Sequence, residues 1–392
     1  MKYSNLKWLG IGLLAFVGFV GEIFAQIEVS HVSSVDTSDR EIQAVFNHWK
    51  GYLNARPDST YDNPYWDTDE VAESRRLGLA HFDRSAQFLF KFGLSAERYF
   101  SYFKPKVLSI EKYKKDVFKI KTIFETCQDW ANKPDFMQSP MHIVSVYCKK
   151  IDSRYYLQNG IRYEVEHWKK VHKNFINYFV HPACDFDERE ANKAVKFCKQ
   201  IRKKFKLDKI EPIFYYITPN SEALGRLNNF DYKYDYNTGL ANMKKREIAV
   251  SKMGPCHYHE FIHVLFPLEE SNEIKRPKIV TEGLATWLGG ASGSLEFEKE
   301  LMDFSKEIQF NDTLLLSDIL DNSYFHPLDN IPLYVSGGFI CKIVYEKYSV
   351  AGVKKLYSIG KEDWIPIIEE LFEMKYDRFD EYILDEIRKV SN

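Results

Sequence analysis

The sequence carries almost no net charge: 54 basic and 56 acidic side chains leave −2 over 392 residues. That balance gives no electrostatic footprint for nucleic acid or an acidic lipid surface. Cysteine is sparse: Cys127, Cys148, Cys184, Cys198, Cys256 and Cys341 are the six, and no C-x-x-C pair occurs. Thiols this thinly spread need not pair at all, and Cys256 reads as a buried thiol. Repeats and low-complexity tracts are missing too, so the chain is not a solenoid or a linker-rich array.

The N-terminal apolar run, Trp8 to Gly21, falls short of the about twenty residues needed to cross a bilayer. Lys2 and Lys7 precede it, and Glu22-Ile23-Phe24-Ala25-Gln26 follows with a small residue at a cleavage point. This pattern predicts a secretory signal peptide over residues 1–25, periplasmic or secreted residence, and no stable membrane insertion once it is removed. No cysteine follows the run to carry a lipid anchor. The remainder is ordinary for a globular chain, 45% hydrophobic and 28% charged, and long enough for two cores.

The stretch that bears chemistry is His259-Glu260-Phe261-Ile262-His263. Residues four apart share a helix face, so two imidazoles can reach one ion while Glu260 projects beside them. Zinc takes neutral imidazole nitrogens at about 2.0–2.1 Å, and a catalytic site uses three protein ligands, so a third must be found. Gly254-Pro255 before the pentad and Pro267 after it predict the helix limits, with Pro255 near the first helical position. Downstream, Val280 to Trp287 predicts a second short helix closed by Gly289-Gly290, and it carries Glu282.

With H-E-x-x-H followed by Glu282-Gly283-Leu284-Ala285, the sequence from Ile248 to about Tyr348 resembles the gluzincin zinc metallopeptidases of the peptidase MA-like superfamily. The resemblance implies Zn²⁺ on His259, His263 and Glu282, and Glu260 as general base for a zinc-activated water that hydrolyses a peptide or protein substrate. Leu333-Tyr334-Val335-Ser336-Gly337 is similar to the Y-x-x-G stretch of related aminopeptidases, which implies Tyr334 as oxyanion donor, with His326 as runner-up. It also implies that Ile248 to Ser251, the strand before the active helix, lines the cleft and pairs with an extended peptide. Two departures stand out. No G-x-M-E-N-like stretch precedes the pentad, and Thr286 replaces the aspartate that thermolysin-like enzymes use to orient a histidine, so another group must do so.

The rest of the chain predicts an α+β protein. Helical spacing from Arg40 (Ile42, Val45, Phe46, Trp49, Leu53) gives way to short strands at 106–110, 117–124, 142–147 and 154–157. Residues 40–180 are expected to form a cone-like domain similar to the nuclear transport factor 2 fold. Residues 185–392 are expected to form a thermolysin-like domain with a mainly helical C-terminal half. Residues 220–239 read as an irregular insertion, and the basic run from Lys193 to Lys204 as a solvated helix face. The competing class is a catalytically inactive binding protein on the gluzincin fold.

Overall fold

The computed structural model describes residues 27–55, 57, 63–90, 95–126, 142–233, 238–266, 276–321, 331–360 and 363–391. The expected signal segment, Cys127, Pro267 and His326 lie outside them. The architecture is mixed α and β with two sheets, compatible with the α+β expectation.

The first unit begins with β1 (Ser30–His31) and helix α1 (Arg40–Asn54), whose start is capped by Asp39 accepting from Glu41 N–H and Ile42 N–H. Helix α1 buries Val45, Trp49, Tyr52 and Leu53. Helices α2 (Thr68–Arg76) and α3 (Ala96–Tyr102) follow, then an antiparallel run of β2 (Phe103–Lys114), β3 (Val117–Thr126), β4 (His142–Ile151) and β5 (Arg154–Gln158). Alternation along β3 sends Phe118, Ile120 and Phe124 into the core against α1. The strands extend beyond the short runs that the sequence suggested.

The hairpin β6 (Lys169–Lys173) and β7 (Ile176–Val180) precedes the boundary expected near 180–185, yet it belongs to the second sheet. There β7 runs parallel to β8 (Ile213–Thr218), which runs parallel to β11 (Glu247–Ser251), with β10 (Gly239–Asn242) antiparallel on β11. Helices α4 (Glu188–Phe205) and α6 (Tyr258–Leu265) cover one face of this sheet. On that face Tyr178, Tyr215, Ile248 and Val250 pack against Cys198, Ile201, Phe205 and Phe261. Within the stretch expected to be irregular, the described residues 220–233 are regular: α5 (Ser221–Arg226) leads to β9 (Phe230–Lys233), which crosses to the first sheet and pairs with β4.

This crossover latches the two units. Asn229, in the left-handed region that asparagine tolerates, donates to Asp83 at 3.1 Å and to Asn159 at 2.9 Å. Its side-chain oxygen accepts from Gly160 N–H at 2.7 Å. Nearby, the buried Arg84 pairs with Glu247 at 2.7 Å. The remaining chain is helical: α7 (Lys278–Gly289), α8 (Phe297–Ile308), α9 (Leu316–Leu320), α10 (Ile331–Tyr357, broken at Ser349), α11 (Trp364–Phe372) and α12 (Tyr376–Arg388). No helix among the described residues is long and apolar enough to cross a membrane.

Candidate metal centre

Helix α6 is short, and packing rather than capping holds it: His257 at its N-cap makes no side-chain cap bond. Gly254 and Pro255 precede that cap, as the sequence suggested, and Phe261 stacks on Tyr215 at 5.4 Å. Every residue from His259 to Leu265 is buried, so the two histidines and Glu260 stand in a largely dry setting.

His259 Nε2 lies 3.2 Å from His263 Nε2 and 3.2 Å from Glu282 Oε2, and His263 Nε2 lies 3.5 Å from the same oxygen. These three residues are a group of donors with the spacing to hold one metal ion. A tetrahedral zinc site with bonds of about 2.1 Å separates its donors by about 3.4 Å, which the three spacings match. The tautomer fits as well. His259 Nδ1–H donates to the Gly290 carbonyl at 3.0 Å, and a carbonyl only accepts, so Nδ1 carries a proton and Nε2 is turned toward the other two donors. There it faces a carboxylate oxygen, an arrangement that suits a shared cation, whether a proton or a metal ion.

Electrostatics within the trio agree. Burial acts to raise the Glu282 carboxyl, but hydrogen bonds and charge from His259 and His263 outweigh it and hold the group well below the usual carboxylate range. His263 is also buried, which acts to lower it, yet the Glu282 carboxylate raises it overall.

Close backbone approach brings these groups together. A Cβ on Gly289 would sit 2.5 Å from His259 N, so the end of α7 meets the start of α6 with no room for a side chain. Gly290 then turns with φ of 76°, a conformation favouring glycine, and its carbonyl takes His259. This main-chain oxygen supplies the orienting contact that Thr286 does not; the Thr286 hydroxyl is buried with no hydrogen-bond partner among the described residues. Helices α7 and α10 also meet at glycines, since a Cβ on Gly283 would lie 2.3 Å from Gly337 C.

Because of that approach, Tyr334 on the first turn of α10 stacks over His259, with ring centroids 5.8 Å apart at 21°. Burial, then the Glu282 charge, raise its pKa, so the phenol stays neutral and able to donate. Burial likewise raises the Glu260 carboxyl against the opposing pull of His263 and His259. Gly239 lies directly against that carboxylate: a Cβ there would fall 2.5 Å from Glu260 Oε1.

This contact revises the expected peptide platform. Strand β11, which includes Ile248 to Ser251, is bonded to β8 on one side and β10 on the other, so its main chain is already used. The edge beside Glu260 is β10, a strand that the sequence hid because Gly239-Leu240-Ala241-Asn242 shows no β-branched alternation. Cys148, Cys184, Cys198, Cys256 and Cys341 are free thiols, and burial pushes the half-buried Cys256 up to about 12. In comparisons with known proteins, no family model and no curated protein sequence matches the chain.

Proposed function

We propose that this chain is an exported zinc-dependent peptidase, with a cone-like first unit similar to the nuclear transport factor 2 fold and a thermolysin-like second unit. The observation that carries this reading is the convergence of His259, His263 and Glu282 within metal-binding distance, with Glu260 on the same helix. Bound there, zinc would act as a Lewis acid and lower the pKa of a water from 15.7 to roughly 7.

The chain's own groups have distinct tasks. Glu260, raised by burial, takes a proton from the water that adds to the scissile carbonyl carbon, then passes it to the leaving amine as the C–N bond breaks. Tyr334, a neutral phenol beside the donors, gives a hydrogen bond to the developing oxyanion. The outer edge of β10 pairs with the substrate backbone and sets the scissile bond beside Glu260. The Gly290 carbonyl keeps His259 in the metal-binding tautomer.

The test is metal content of the mature chain from Gln26, purified without a polyhistidine tag, beside a His259→Ala control. About one zinc per chain, lost in the control, supports the site. Hydrolysis of a mixed unfolded-protein substrate should then disappear on chelation and return with added zinc. Metal in neither protein after zinc is supplied would overturn the proposal.

A further inference from the structure

The carbonyl that orients His259 belongs to a peptide group with a second strong partner. Gly290 C=O accepts from His259 Nδ1–H at 3.0 Å, and the N–H of the same peptide unit, on Ala291, donates to Glu300 Oε2 at 2.8 Å. A trans peptide points its C=O and N–H in opposite directions, so the imidazole and the carboxylate stand on opposite sides of one planar group. The other carboxylate oxygen, Oε1, accepts from Ser292 N–H at 3.2 Å. Glu300 lies near the start of α8, and Phe297, Leu301 and Phe304 anchor that helix in the core. The Phe297 ring packs so closely on α10 that a Cβ on Gly338 would fall 2.6 Å from it. From the other side, Tyr258 N–H at the start of α6 donates to the Gly293 carbonyl at 3.1 Å. The loop is therefore held between two fixed helices.

We propose that Glu300 is a positioning residue of the metal centre, acting on His259 through the Gly290–Ala291 peptide group. The inference rests on the zinc-peptidase reading and deepens it, by naming the carboxylate that takes over the orienting task left open at Thr286. Hydrogen bonds in series polarise one another: a carboxylate on the N–H side pushes electron density onto the carbonyl oxygen, which then holds Nδ1–H more firmly. An imidazole held this way is fixed in rotation and richer in electrons at Nε2, the nitrogen that lies 3.2 Å from both His263 Nε2 and Glu282 Oε2. A carboxylate that bonds a ligating histidine directly has the same effect; here one peptide group intervenes. Glu300 stands outside both motifs, so only the fold brings it to the site.

The experiment compares the wild-type mature chain with Glu300→Gln, which keeps the volume and removes the charge. Glu300 is half-buried, so this change leaves the core intact, and Tm checks that it does. Glu298→Gln is the control, a change on the same helix at a carboxylate that bonds Lys342 at 2.9 Å. Chelator competition reads zinc affinity. Nitrogen-15 NMR of labelled histidine reads the His259 Nδ1–H resonance in the metal-free chain, assigned by its loss in His259→Ala. Glu300→Gln should bind zinc about ten-fold more weakly, the lower end of the range for groups behind metal ligands, because a peptide unit intervenes. Its His259 resonance should move upfield as the bond to Gly290 weakens, while Glu298→Gln matches wild type in both. An unmoved resonance in Glu300→Gln, even with a lower Tm, would overturn the proposal and leave Glu300 as a loop anchor alone. Zinc held equally by wild type and Glu300→Gln would overturn the Glu300 inference and spare the peptidase reading. A wild-type chain that takes up no zinc would overturn that reading, and the role of Glu300 at the metal with it.

Discussion

Replacing Gly337 by alanine should weaken zinc binding although residue 337 touches no donor. A Cβ at this position would lie 2.1 Å from the Ile279 carbonyl, where ordinary contact begins near 3.4 Å, so α7 and α10 must separate by about 1.3 Å. The Cβ is fixed rigidly to its own helix and the oxygen it meets is helix backbone, which leaves no flexible side chain to yield. Overpacking of this kind costs about 1–3 kcal/mol, or a fall in Tm of a few degrees for a chain of this size. The larger effect is on Glu282, which precedes Gly283 in the same contact. Metal–donor distances tolerate only about 0.2 Å, so a shift several times larger should reduce zinc affinity by roughly 10–100-fold. Competition with a chromophoric chelator measures the affinity and calorimetry the Tm. Gly254→Ala is the control, because a Cβ there meets nothing within 4 Å. Wild-type zinc affinity in Gly337→Ala would refute the argument that glycine contact sets the position of Glu282.

Other changes separate metal binding from chemistry and from stability. Glu260→Gln should keep its zinc and lose turnover by about 10²–10⁴-fold, measured as kcat on any cleaved peptide. Gly239→Ala should also keep its zinc but lower kcat by up to about 100-fold, since its Cβ would displace the Glu260 carboxylate that lies 2.5 Å away. Arg84→Met strands Glu247 in a buried setting and should cost about 3–5 kcal/mol in denaturant unfolding, with Arg84→Met/Glu247→Met recovering most of it. Burial holds the His142 imidazole down to about 4 from 6.5. Above pH 6.5 the ring is neutral in both states. Between 6.5 and 4 only the unfolded chain takes the proton, so stability falls toward acid by about 3 kcal/mol in all. His142→Asn should flatten that slope in unfolding measured from pH 7 to pH 4.

Much of the candidate site was legible because its determinants are local. A spacing of four residues puts His259 and His263 on one face of any helix, whatever surrounds it. Glycines after Trp287 announced the end of the helix that carries Glu282, and the resemblance to the gluzincin pattern implied that this carboxylate completes the trio. In the first unit, alternation along β3 and helical spacing from Arg40 were equally local signals.

Tertiary structure decided what depends on residues distant in sequence. A main-chain carbonyl has no letter in the sequence, so nothing marked Gly290 as the partner that sets the His259 tautomer. Strand membership follows pairing rather than position: β6 and β7 precede the expected boundary yet pair into the second sheet, and β9 leaves that half of the chain to bond to β4. Which strand offers an edge beside Glu260 is likewise a property of the assembled sheet. The sequence by itself determined which side chains can donate to a metal and how the nearest two are spaced. Backbone contacts at Gly283, Gly289 and Gly337 decided that Glu282 and Tyr334 meet them, because helices approach that closely only where at least one of the facing residues lacks a side chain.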